Sequence, residues 1–162
     1  MTEKEDEFTL DLTKINTYLK NDLVIIGFLF LLSLAIHLIY QNASMYHFDS
    51  GFDIWAVEET VANWKLTYSY GWGAPGMIVL VSIVHFFDTL ITGTTSAEFA
   101  YNFVNILSAS IAIPLVFILT KYLTKDRFIS IVSALFFCVM PIWLSITTYP
   151  KTHAMTIALG IA

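Results

Sequence analysis

The chain has 162 residues, 57% of them hydrophobic and 13% charged, with a mean hydropathy of +0.70. A soluble domain of this length seldom reaches that balance, so the chain reads as integral to a membrane. The net charge of −5 leaves no basic face for nucleic acid, and a single cysteine, Cys138, excludes a disulfide framework or a zinc-binding spacing.

Residues 1–22 are polar and acid-rich: Glu3, Glu5, Asp6, Glu7, Asp11 and Asp22 outnumber Lys4, Lys14 and Lys20. Phe8, Leu10, Leu12 and Ile15 hint at a short surface helix, but a solvated cytoplasmic tail is the expected role. Leu23 to Tyr40 is almost wholly apolar, and at ~1.5 Å per residue it can cross a hydrocarbon core of ~30 Å. The long acidic flank before it and the lack of a small-x-small cleavage site favour a signal-anchor helix over a removed signal peptide. His37 falls near its end, at the expected interface. Asn42-Ala43-Ser44 fits a glycosylation acceptor but sits too close to the apolar run for modification.

The polar-aromatic stretch from Tyr46 to Gly76 follows. Ser50 and Asp53 read as a capping box at a helix start. Ile54, Val57, Val61 and Trp64 then recur at helical spacing, with Asp53, Glu59 and Asn63 elsewhere around the turn. This predicts a short amphipathic helix lying on the membrane surface, ended by the aromatic turn Tyr68 to Gly76. In Met77 to Thr92 the polar residues Ser82, His85, Thr89 and Thr92 align at steps of three and four. That stripe suits a second helix at the interface better than a lipid-facing span. Tyr101 to Thr120 is a second span, whose Asn102, Asn105, Ser108 and Ser110 suggest helix–helix packing. Phe128 to Tyr149 is a third, containing Pro141. Ala154 to Ala162 opens a fourth apolar run. The expected fold is therefore all-α and polytopic. It has three full transmembrane helices, a truncated fourth, and two non-spanning amphipathic helices in a first outer loop at 41–100.

Basic residues in short loops mark the cytoplasmic side. Lys65 is the only Lys or Arg from Gln41 to Ala100, whereas the loop 121–127 holds Lys121, Lys125 and Arg127. If residues 77–92 stay out of the membrane, the N-terminus and that basic loop both lie inside. The 41–100 segment and the turn at 150–153 then lie outside.

The candidate acids on that outer face are Asp49, Asp53, Glu58, Glu59 and Asp88. With Asp53 used in the capping box, Asp49 stands immediately before the helix start, where the helix dipole favours its ionised form. Flanked by Tyr46, His47 and Phe48, it could act as a general base toward a hydroxyl; a plain cap acid is the other reading of the same residue. His47 and Glu59 are the substrate-binding candidates beside it. Lys151 and His153, in the next outer turn, could meet a lipid phosphate or serve as interfacial anchors.

Three pieces carry a likeness to a known family: His47-Phe48-Asp49-Ser50, then Gly73-Ala74-Pro75, then the segment from Asn102 to Ala154. Together with the order of spans and loop helices they resemble the N-terminal part of the GT-C superfamily of membrane glycosyltransferases. That superfamily includes protein O-mannosyltransferases, lipid A aminoarabinose transferases and the catalytic subunit of oligosaccharyltransferase. The resemblance covers nearly the whole chain as a pattern, though its exact motif is one acid and one proline. It implies that 23–162 is the N-terminal part, truncated at the C-terminus, of a transmembrane domain that transfers a sugar from a polyprenyl-phosphate donor to an acceptor on the outer face. It maps the essential acid of the first outer loop onto Asp49. Many members carry a second acid near the positions of Thr152 and His153, and this chain has none after Asp126. No cofactor is expected; the resemblance leaves room for a divalent cation, which no second outer-loop acid supports here. The rival expectations are a non-catalytic membrane scaffold, a transporter segment or an inactive fragment. The central parts of the spans hold no ionisable residue, which argues against transport.

The basic-residue asymmetry generates a topological prediction. In a Cys138→Ala background, single cysteines at Ser69 and Thr94 are labelled by an impermeant thiol reagent from outside, and one at Thr124 is not. Labelling of positions 69 and 94 from opposite sides contradicts it.

Overall fold

The computed structural model describes residues 12–40, 48–67, 75–147 and 153–162, with the backbone alone at 12–21, 48–50, 146 and 153–155. Every regular element among them is helical. In chain order these are α1 (Leu12–Tyr40), α2 (Phe48–Asn63), α3 (Pro75–Thr92), α4 (Glu98–Thr124), α5 (Arg127–Val139), α6 (Pro141–Thr147) and α7 (His153–Ile161). Among the described residues three stretches are long and apolar enough to cross a membrane: Asp22–Tyr40 of α1, all of α3 and all of α4. These are consistent with a membrane protein.

Two of those stretches match the expected spans; the third does not. The run Phe128 to Tyr149, expected as one span, is broken. α5 stops at Val139 and α6 starts at Pro141, with Met140 between them in an extended conformation (φ −63°, ψ 122°). The cause is local: proline has no N–H for the helix ladder, and its ring pushes the preceding residue out of the helical region. α3, expected at the interface, meets the length and composition of a span with 18 residues. α1 also begins earlier than the apolar run, so residues 12–22 continue into the span as one helix.

The helix ends follow ordinary capping chemistry. Pro75 opens α3, where its missing N–H costs nothing. Gly93 closes it with φ 73°, its N–H donating to the Thr89 carbonyl at 2.9 Å. α4 carries Glu98 in its first turn and Lys121 in its last, matching the dipole at both ends. Lys125 takes the left-handed C-terminal position, and Asp126 then caps α5 by accepting from the Ile129 N–H at 2.9 Å. Two residues therefore turn the chain from α4 into α5.

α4 is the shared wall of the fold. Its first two turns pack Ala97, Ala100, Tyr101 and Val104 against Ala56 and Val57 of α2 and Met77, Ile78 and Val81 of α3. Further along, Ala109, Ala112, Ile113 and Phe117 pack with Leu29 of α1, Ala134 and Cys138 of α5, Trp143 of α6 and Ala158 of α7. The small residues on α4 let neighbouring backbones approach closely, as packing in lipid requires. Serine hydroxyls on this helix are satisfied within it: Ser108 donates to the Val104 carbonyl and Ser110 to that of Ile106.

Polar contacts fix the direction of α1 against α4. Asp22, 3% exposed, pairs with Lys121 at the end of α4 and, at 3.1 Å, with Nε of Arg127 at the start of α5. At the other end of α1, His37 Nδ1 donates to the Ser33 carbonyl at 2.8 Å, and its Nε2 lies 2.9 Å from Thr147 Oγ1. Asn105, near the start of α4, donates to the Thr147 carbonyl at 2.7 Å. The two helices are thus antiparallel, pinned at both ends. Asp22→Asn removes the buried charge that two cations share. It should cost about 1.5–3 kcal/mol in reversible denaturation of the chain in micelles, whereas removing the exposed partner by Arg127→Ala should cost no more than about 1 kcal/mol.

Candidate functional site

The acids of the 41–100 segment are sorted by what they touch. Glu58 reaches from α2 to the start of α4, where its Oε1 accepts from the Ala97 N–H at 3.0 Å. α4 has no capping side chain of its own at that position. Glu58 therefore acts as a cap supplied from another helix, a carboxylate held at the positive end of the α4 dipole. Asp53 Oδ2 accepts from the Tyr101 hydroxyl at 3.4 Å. Both acids hold α2 onto the first turns of α4.

α2 starts at Phe48, so Ser50, expected as the cap, lies inside the first turn; Asp53 meets the Tyr101 hydroxyl, and the side chain of Ser50 lies outside the described residues. Asp49 accordingly stands in the first turn of α2, one residue inside the helix, rather than ahead of it. The electrostatic consequence survives the shift, because unpaired N–H groups of a first turn favour a carboxylate at any of its positions.

Glu59 is partly exposed and engaged on its own helix: Asn63 Nδ2 donates to its Oε2 at 2.6 Å and to its carbonyl at 3.1 Å. His153 is the first residue of α7. His47 and Lys151 lie outside the described residues.

A run of contacts brings the neighbourhoods of these candidates to one end of α4. Asp53 holds Tyr101, and Asn105 follows Tyr101 one turn on along the same helix. Asn105 holds Thr147, the last residue of α6. Asp49 is one turn before Asp53, while Lys151 and His153 follow Thr147 by four and six residues. Tyr101, Asn105 and Thr147 are the residues that sequence reading did not assign to the site. Asn105 was marked only as a packing residue, and the partners it joins are far apart in the chain.

α2 and α3 also enclose an apolar groove of about 400 Å³, lined chiefly by Trp64, Leu66, Val79, Ile83, Phe86 and Phe87. Trp64 takes a left-handed backbone conformation (φ 52°) just past α2 and meets Phe86 edge to face, with ring centroids 5.4 Å apart. Thr60 fixes this turn. Its hydroxyl donates to the Ala56 carbonyl at 2.6 Å and accepts from the Thr67 N–H at 3.0 Å.

No family model, curated protein or solved structure matches the chain.

The remote cap is open to test. Glu58→Ala should lower stability by about 0.5–2 kcal/mol, the range for a lost N-terminal cap, in thermal unfolding followed by circular dichroism. Glu58→Gln, which keeps an oxygen acceptor, should recover most of that loss, and Glu59→Ala should have little effect.

Proposed function

We propose that the chain is the N-terminal part of a GT-C-type membrane glycosyltransferase. It moves a sugar from a polyprenyl-phosphate-linked donor to an acceptor on the outer face of the membrane. Asp49 is the general base that takes the proton of the attacking hydroxyl. His47 and Glu59 contact substrate, and Lys151 and His153 neutralise the phosphate of the donor. The N-terminus is cytoplasmic, and α2 and α3 form an outer layer that does not cross the bilayer.

The observation that carries this reading is the polar run from Asp53 through Tyr101 and Asn105 to Thr147. Sugar transfer from a lipid phosphate needs a base and a phosphate partner within reach of one another. The run links the helix that bears Asp49 to the segment that bears Lys151 and His153. The first turn of α2 supports the base role, since it favours an ionised carboxylate at neutral pH. The outer-layer reading of α3 is supported by its core partners on α4, which all fall between Ala97 and Val104. A hairpin crossing the bilayer would pack further down α4. The apolar groove between α2 and α3 supports a lipid-borne donor.

Assay of the full-length enzyme containing this chain, with a panel of polyprenyl-phosphate sugars, tests the assignment. Asp49→Asn should lower transfer by about 10²–10⁴-fold, the usual contribution of a general base, with expression unchanged. Asp53→Ala should retain activity and instead loosen α2 from α4. An essential Asp53 with a dispensable Asp49 overturns the proposal.

A further inference from the structure

The groove between α2 and α3 is built to exclude polar occupants. Trp64, Leu66, Val79, Ile83, Phe86 and Phe87 wall a space of about 400 Å³. Its polar lining residues are Thr60 and Ser82. The Thr60 hydroxyl is already used twice, donating to the Ala56 carbonyl and accepting from the Thr67 N–H. Ser82 Oγ is shielded from solvent, so nothing seated in the groove reaches it. A sugar, a nucleotide or an extended peptide held there would leave its own polar groups unpaired, which is costly.

A hydrocarbon chain carries no such groups. A partner helix does not fit: one turn, ~10–12 Å across and rising ~5.4 Å, fills about 400–600 Å³ by itself. The α3 wall also continues into a surface suited to lipid. Val79, Ile83 and Phe87 are exposed, and exposed Leu80, Leu90 and Ile91 fall on the same side of the helix. The opposite wall is set in advance, because Thr60 pins the turn that presents Trp64 to Phe86. A preformed apolar cleft of this size is what a small hydrophobic ligand needs.

The rim selects the head group. Lys65 stands between the lining residues Trp64 and Leu66, is exposed, and is the only Lys or Arg from Gln41 to Ala100. Its backbone carbonyl accepts from the Thr67 hydroxyl at 3.2 Å, and among the described residues no acid pairs with its ammonium group. A lysine lays its stem along apolar surface and keeps its charge in water. We propose that the groove holds one acyl chain of an anionic bilayer phospholipid, whose phosphate pairs with Lys65. A zwitterionic head group brings its own cation beside the phosphate and gains less from the lysine. The site does not rest on the glycosyl-transfer reading. Loss of transfer leaves it standing, whereas loss of the lipid removes one support from that reading.

The 162-residue chain in lipid nanodiscs tests this. The probes are phosphatidylglycerol and phosphatidylcholine, each with a photoactivatable diazirine on one acyl chain, and cross-linked peptides are mapped by mass spectrometry. In the parent, cross-links should be denser on residues 60–66 and 79–87 than around the exposed Leu31 and Leu38 of α1. At the groove, phosphatidylglycerol should give about fivefold more of them than phosphatidylcholine, the effect of one lysine near an anionic lipid. Lys65→Gln should abolish that preference. Ile83→Trp, which fills the groove from an exposed position, should remove the groove cross-links and spare those on α1, with helix content checked by circular dichroism. Cross-linking in the parent no denser at the groove than on α1, equal yields there from the two lipids, or groove cross-links that persist in folded Ile83→Trp each overturns the proposal.

Discussion

The described fold depends on α4 finding helical partners along most of its surface, while Phe99, Phe103, Ile111, Leu119 and Leu123 stay exposed. Lipid chains are as apolar as leucine, so no hydrophobic force pulls membrane helices together; close packing and internal polar contacts must do it. α4 meets the first need with Ala97, Ala100, Ala109 and Ala112, each buried against a neighbouring helix. It meets the second with Lys121 at one end and Asn105 toward the other. α1 is held by both ends at once, through Asp22 and through the Thr147 that His37 and Asn105 share. Large apolar side chains such as Val24, Leu31 and Ile39 are left on its outer face, as suits a helix whose other neighbour is lipid.

The same constraint decides what the acids of α2 can do. α2 is too polar to be held by apolar packing alone, and Glu58 and Asp53 fasten it to α4 through the Ala97 N–H and the Tyr101 hydroxyl. These two carboxylates are structural on that evidence. Asp49 stands a turn nearer the helix start. The break at Met140 and Pro141 contributes as well. It turns α6 so that Trp143 packs tilted on Phe137, with centroids 4.7 Å apart, and Thr147 ends beside His37 and Asn105. An unbroken helix from Phe128 would have carried Thr147 onward along the α5 axis.

Much of this was legible in single residues and runs. The apolar lengths of Leu23 to Tyr40 and Tyr101 to Thr120 announce α1 and α4, because lipid leaves few other options for such runs. Pro141 was visible, yet the apolar run around it argued for continuity; the local rule for the residue before a proline prevailed over composition. The polar stripe of α3 was legible from its spacing, but its burial was not. Least legible were the pairings Asp53 with Tyr101 and Asn105 with Thr147. They join positions 48 and 42 residues apart, and one sequence carries no information about which distant polar residues meet. α2 also starts at Phe48, earlier than a cap at Ser50 implies, and the contact of Asp53 with Tyr101 is one more tertiary pairing.

The central claim is that the start of α2 and the start of α7 lie at the same end of α4. Electron–electron distance measurement between nitroxides at Asp49→Cys and His153→Cys, in a Cys138→Ala background and in lipid nanodiscs, addresses it directly. The account predicts a narrow distribution well short of the ~30 Å hydrocarbon thickness. A distance at or beyond that thickness puts the two positions on opposite faces and contradicts it.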